Sequence, residues 1–358
     1  MTRLWNARTR IILAGLIFGV LGALAVNWGN PPNMGICVAC FLRDISGALK
    51  LHQAAVVQYL RPEIMGFTLG AMLTSFVFRE WRPRGGSSPV IRFVLGAFVM
   101  IGALVFLGCP IRMLLRLAGG DLNGLSALGG MVFGILVGIV LLRKGFNLGR
   151  AGKMPAVAGW MLPLIMAGLL VLAIVKPGFI AVSESGPGSM YVSIGVAIAI
   201  GLAVGIMAQR TRFCSVGAWR DIFLVRDFHL FSGIAAFFIA ALATNYIAGN
   251  FGDGGIYHWG IEGQPVSHTD HLWSFFGMGL LGLAATQLGG CPLRNLVLSG
   301  EGDTDAAVTV LGYLAGAAIA HNFLTASSGT GVGTWGPVAV IVGWAFCLGI
   351  GVLMRQRV

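Results

Sequence analysis

Five cysteines, four of them in duplicated surroundings, carry the chemistry this sequence offers. Cys109 and Cys291 each stand in Gly-Cys-Pro-x-Arg, at 108–112 and 290–294, and each precedes an aspartate by twelve residues, Asp121 and Asp303. Cys37 and Cys214 each lie six residues ahead of an Arg-Asp pair, Arg43-Asp44 and Arg220-Asp221. Proline costs nothing at the first position of a helix, where its missing N–H has no partner to lose, so Pro110 and Pro292 put Cys109 and Cys291 at helix N-termini. Free N–H groups and a partial positive charge gather there, which attracts an anion and favours the thiolate. Arg112 and Arg294, three residues on, lie near the first turn and would neutralise a divalent anion. A small anion with a soft atom is the ligand such sites suit.

Each element also has a plainer reading. Gly-Cys-Pro can be a helix break whose thiol is a small buried hydrophobe. The Arg-Asp pairs at 43–44 and 220–221 can be ion pairs that fix the fold rather than substrate contacts, and Asp121 and Asp303 fall in the same charge-balancing class. Cys37 and Cys40 form C-x-x-C, a redox or metal spacing elsewhere, but the second copy has Gly217 where Cys40 stands. His52 and His229 read as helix-end or interfacial residues, His258, His268 and His271 as exposed loop residues, and Cys347 as core. No metal site and no cofactor are expected.

Those residues must be positioned by a membrane-embedded scaffold. The 358-residue chain is 56% hydrophobic and 10% charged, with a mean hydropathy of +0.84, far too apolar for a soluble domain. Apolar runs at about 11–28, 63–78, 91–108, 125–142, 160–176, 190–208, 231–249, 272–288, 306–324 and 334–354 approach the length of a spanning helix. The stretch from Arg3 to Val26 is read as the first span rather than a cleaved signal. The 55 glycines suit close helix packing.

The net charge of +11 sits in short loops, as the positive-inside rule expects, rather than in a nucleic-acid surface. Arg3, Arg8, Arg10, Arg79, Arg82, Arg84, Arg92, Arg143, Lys144, Arg150, Lys153, Arg355 and Arg357 all fall on one side if every run crosses once. That side, with both termini, is expected to be cytoplasmic. Residues 250–271, holding Asp253 and Glu262, fall opposite. The basic stretch 37–61, with Arg43, Lys50 and Arg61, breaks the rule and is read as re-entrant.

The chain is an internal duplication. Residues 37–52, CVACFLRDISGALKLH, align without a gap onto 214–229, CSVGAWRDIFLVRDFH, and GCPIRMLLRLAGGD at 108–121 matches GCPLRNLVLSGEGD at 290–303. An odd number of spans separates matching points, so the copies should lie inverted. The expectation is an all-α polytopic membrane protein with nine or ten spans and re-entrant half-helices. Residues 1–142 form the first repeat, 143–189 a connector with one span, 190–324 the second, inverted repeat, and 325–358 a C-terminal span.

These motifs together resemble the YeeE/YedE family of bacterial inner-membrane proteins, over nearly the whole chain. MGICVACFLRDISGALKLHQAAVVQYLRPEIMGF and GCPIRMLLRLAGGDLN look like its selenium-transporter branch, YedE. The resemblance implies transport of a sulfur or selenium anion, thiosulfate-like or selenium-bearing, handed along re-entrant cysteines by S–H···S hydrogen bonding. It implies that Cys109 and Cys291 stand at narrow points, Cys37 or Cys40 at the outer entrance and Cys214 at the inner one. A small cytoplasmic sulfur- or selenium-carrier protein is the implied partner. Two other classes compete with a transporter: a membrane thiol-disulfide oxidoreductase using Cys37 and Cys40, and a soft-metal carrier.

Overall fold

The computed structural model describes residues 6–252, 255–260 and 267–356, so Arg3, Asp253, Glu262 and Arg357 lie outside the described residues. Ten long helices form where the ten apolar runs fall: α1 (Ala7–Asn27), α3 (Pro62–Val77), α4 (Pro89–Phe106), α6 (Asn123–Arg143), α7 (Ala156–Val175), α8 (Ile194–Thr211), α10 (His229–Ile247), α11 (His271–Leu288), α13 (Thr304–Asn322) and α14 (Gly336–Leu353). Four short helices stand between them: α2 (Val38–Ala48), α5 (Pro110–Ala118), α9 (Ser215–Val225) and α12 (Pro292–Gly300).

Among the described residues eight helical stretches are long and apolar enough to cross a membrane, and this is an all-α polytopic membrane protein. The two remaining long helices fall short for different reasons. Helix α3 has only 16 residues. Helix α13 opens on Thr304 and Asp305 and ends on His321 and Asn322, polar residues that lower its hydropathy.

Glycine sets how the helices pair. Gly15 and Gly19 of α1 lie against Gly233 and Phe237 of α10; Gly66 and Gly70 of α3 against Gly201 and Leu202 of α8. In the same way Gly130 and Gly134 of α6 meet Phe275 and Gly279 of α11, and Gly312 and Gly316 of α13 meet Phe93 and Ala97 of α4. Residue numbers rise together along each contact, so all four pairs run parallel. A Cβ on Gly134 would stand 1.9 Å from the Gly279 carbonyl oxygen, closer than any packing tolerates, so backbone-to-backbone approach is what the glycine permits.

The loops sort to two ends. At one end the Arg82 N–H donates to Glu301 O over 2.9 Å, Arg84–Gly85 pairs antiparallel with Gly152–Lys153, and Phe146 bridges to Arg355. Arg8 and Arg10 open α1 there, beside the start of α10. At the opposite end Leu122 N donates to His258 O (2.8 Å) and Ala181 N to Ala48 O (3.0 Å). The basic loops therefore gather at one end. Helices α7, α10 and α14 turn Val157, Ile247 and Leu353 outward, as a hydrocarbon surround demands.

One histidine expectation is corrected. His268 is buried, with its Nε2 2.7 Å from the Val105 carbonyl, and not an exposed loop residue. His52 is buried too, packed on the His321 ring with centroids 4.4 Å apart and its Nε2 3.1 Å from Arg43 O. The Val105 carbonyl is far from His268 in sequence, which is why polarity alone misplaced that residue. His258 is exposed, His229 half-buried, and Cys347 is core.

Candidate functional site

The four short helices all begin at a cysteine. Cys37, Cys109, Cys214 and Cys291 are the N-caps of α2, α5, α9 and α12. Before Cys109 and Cys291 the chain turns through a left-handed residue, Leu107 at φ 66° and Gly289 at φ 86°, which ends α4 and α11. A Cβ on Gly108 would meet Arg112 Cδ at 2.9 Å, and one on Gly290 would meet Arg294 Cγ at 3.2 Å. The glycine of each Gly-Cys-Pro-x-Arg thus makes room for the arginine stem that the same motif supplies.

The caps then meet in pairs. The Cys37 Sγ accepts the N–H of Cys40 (3.3 Å), one turn along its own helix, and the N–H of Cys109 (3.5 Å) from the start of α5. The Cys214 Sγ accepts the N–H of Gly217 (3.2 Å) and that of Cys291 (3.4 Å) from the start of α12. Two helix N-termini therefore converge on each thiol pair, and the donors that would hold an anion are aimed there. The Cys109 thiol in turn faces the N–H groups of Ala39 and Arg112, and the Cys291 thiol those of Ser215 and Arg294. All six cysteines are free and buried.

The two sites differ around this shared centre. Arg112 Nη1 lies 3.2 Å from Cys40 Sγ and donates to the Leu107 carbonyl, while its Nε reaches Asn33 Oδ1 at 3.1 Å. Arg294 instead forms an ion pair with Glu301 (3.3 Å) at the far end of α12, and Glu301 also meets Arg84 at 3.4 Å. The positive charge of Arg294 is thus balanced within the protein. In place of a second arginine contact, Asn295 Nδ2 donates to Cys291 O (3.3 Å) and to Tyr313 OH (2.8 Å).

The Arg-Asp pairs are ion pairs in both halves. Asp44, wholly buried, takes Arg43 on Oδ1 and Arg61 on Oδ2, each at 2.7 Å. Arg61 also donates to Pro187 O and Met190 O, both at 2.9 Å, and Asn30 ties the group to Glu63 over 3.2 Å. The matching Arg220–Asp221 pair, at 2.8 Å, is partly exposed and has no second arginine among the described residues. Asp121 pairs with Arg116 at 2.6 Å, and Asp303 with Arg84 at 2.8 Å while capping α13. Sequence reading marked Arg61 only as a basic residue on the wrong side and did not single out Asn30, Glu63 and Asn33, because their main partners lie far along the chain.

A family model described as sulphur transport matches residues 210–354, from the end of α8 through α14. An uncharacterized protein of Methanocaldococcus jannaschii, MJ1590, is 31% identical over 98 residues, 24% of this chain and 93% of that protein. The chain belongs to the sulphur-transport family. The family match spans Cys214 and Cys291, and so covers one of the two thiol pairs directly. The sulphur-transport assignment places the chain among membrane transporters of sulfur species.

Proposed function

We propose that this member of the sulphur-transport family is an inner-membrane transporter, not an enzyme, for a small sulfur- or selenium-bearing anion. A selenium species is the favoured cargo and thiosulfate-like ions the next. The anion is passed between two thiol stations, Cys37, Cys40 and Cys109 near one face and Cys214 and Cys291 near the other. The observation that carries this reading is the convergence of two helix N-termini on each cysteine pair. Converging N–H donors attract the charge, and polarisable thiols suit its soft atom.

The reading rests on two inverted repeats, α1–α6 and α8–α13, with α7 as connector and α14 as an addition. The exchange of partners supports it: α1 packs on α10 while their counterparts α8 and α3 pack together, and α6 on α11 while α13 packs on α4. Such symmetry puts the stations on opposite faces of a bacterial inner membrane, with the basic end and both termini cytoplasmic. A small cytoplasmic carrier protein would accept the cargo at the Cys214–Cys291 end.

Uptake by proteoliposomes holding the full chain tests the substrate. Labelled selenite and thiosulfate should both accumulate, with unlabelled selenite the stronger competitor. Accumulation of neither ion contradicts the proposal, and thiosulfate as the stronger competitor contradicts the selenium preference.

A further inference from the structure

Beside the Cys37–Cys109 station lies a cavity of about 180 Å³ lined by the loop after α1, the end of α5 and the end of α10. Its polar wall is Asn33, Arg116, Asp121, Asn245 and Asn250, and the rest is small or apolar, including Gly22, Ala23 and Val26. Two of the polar groups, Arg116 and Asn245, are buried. Arg116 gives its Nε to Asp121 and its Nη1 to Phe106 O (3.3 Å), while Nη2, in ion-pair contact with Asp121, makes no well-directed hydrogen bond. The Asn245 side chain is 5% exposed and lines the cavity.

We infer that this cavity is an entrance subsite that holds a small oxyanion by its oxygens, ahead of the thiols that hold its soft atom; the inference rests on the transport reading above. The donors are guanidinium and amide N–H groups, which match oxygens rather than sulfur or selenium. Asp121 accepts both from Arg116 and from the Asn123 N–H at 2.9 Å, so its carboxylate is turned to the protein. Asn33 joins the two sites: it lines the cavity and accepts the Arg112 guanidinium that touches Cys40. The feature is one-sided. Where α5 has Arg116, the aligned position of α12 is Leu298, so the Cys214–Cys291 end lacks this cation. Selection therefore runs in two stages, oxygens first and soft atom second.

Sulfate is the discriminating probe, since it has the oxygens and lacks the soft atom. Binding of labelled sulfate to the purified full chain should be the same for wild type and Gly168→Ala, which alters only the outer surface of α7. It should weaken at least about tenfold in Asn245→Asp, which keeps the size and adds a carboxylate, and in Arg116→Gln. Sulfate should also inhibit thiosulfate uptake without being accumulated. Absence of sulfate binding, or binding unchanged in Asn245→Asp, overturns the subsite. Arg116→Gln breaks a buried ion pair and can fail to fold, so Asn245→Asp decides alone in that case. Failure of uptake with sulfate binding intact would remove the transport reading and leave the oxyanion site standing.

Discussion

The Arg112 guanidinium rests on the Cys40 thiol, Nη1 to Sγ 3.2 Å, while the position matching Cys40 in the other half is Gly217 and Arg294 is drawn off to Glu301. One half thus carries an extra thiol with a cation against it. The half without them keeps the convergence of helix N-termini on its cysteine pair. The shared feature is the essential one on this account, and the extra thiol tunes it.

Cys40→Ser should therefore leave most of the transport rate and mainly raise the half-saturating concentration. Cys109→Ala and Cys291→Ala should each lower the rate by about 100-fold or more, a loss of roughly 2.7 kcal/mol or greater in the rate-limiting barrier. Initial rates over a range of substrate concentrations separate the two effects. A dead Cys40→Ser with active Cys291→Ala would favour a thiol-disulfide oxidoreductase instead.

Asp44 and Asp221 occupy matching places and should differ in cost. Asp44→Asn leaves Arg43 and Arg61 buried with one hydrogen-bonding oxygen between them, and removing one partner of such a group typically costs about 3–5 kcal/mol. Asp221→Asn weakens a partly exposed pair, worth up to about 1 kcal/mol. Denaturant unfolding in detergent should show the first midpoint strongly lowered and the second nearly unchanged. Equal shifts would mean that the buried network does not hold α2 in place.

Glycine contacts give a paired test of packing. Gly134→Leu puts a side chain where the Gly279 carbonyl already stands, and should prevent α6 from reaching α11. Gly168→Ala, in the lipid-facing surface of α7 where nothing lies within 4 Å, should fold normally and gain up to about 1 kcal/mol in helix propensity. Size-exclusion profiles and thermal midpoints of the two variants should diverge sharply.

At the basic end, the Gln209 amide and then Arg210 hold the Glu80 carboxyl below its usual range. A lowered folded pKa means stability that is present above the ordinary carboxylate value and lost as pH falls through the folded one. The pair is exposed, so Glu80→Gln should cost under about 1 kcal/mol near neutral pH, and the difference from wild type should vanish in acid. Thermal midpoints against pH for both proteins check the sign.

Much of this architecture is legible in the sequence because the signals are local. Each apolar run is written in consecutive residues, and Gly-Cys-Pro fixes a helix end and a helix start within three positions. The duplication extends this to the thiol pairs, since Cys37 and Cys109 must stand to each other as Cys214 and Cys291 do. What stays hidden depends on distant partners. Nothing near Arg61 announces that it meets Asp44, Pro187 and Met190, and nothing beside Arg294 says that Glu301 will neutralise it. His268 reads as a surface residue because the carbonyl it meets, that of Val105, comes from a distant helix. The parallel pairing of helices across the halves is likewise a property of glycine positions that only packing interprets.

The central claim is that the two thiol pairs are successive stations for one anion. The most direct measurement is uptake of labelled thiosulfate and selenite into proteoliposomes by wild type, Cys109→Ala, Cys291→Ala and the double variant, at matched protein incorporation. The account predicts strong uptake by wild type alone, with either single variant as impaired as the double. Uptake by Cys109→Ala and Cys291→Ala equal to that of wild type would contradict it.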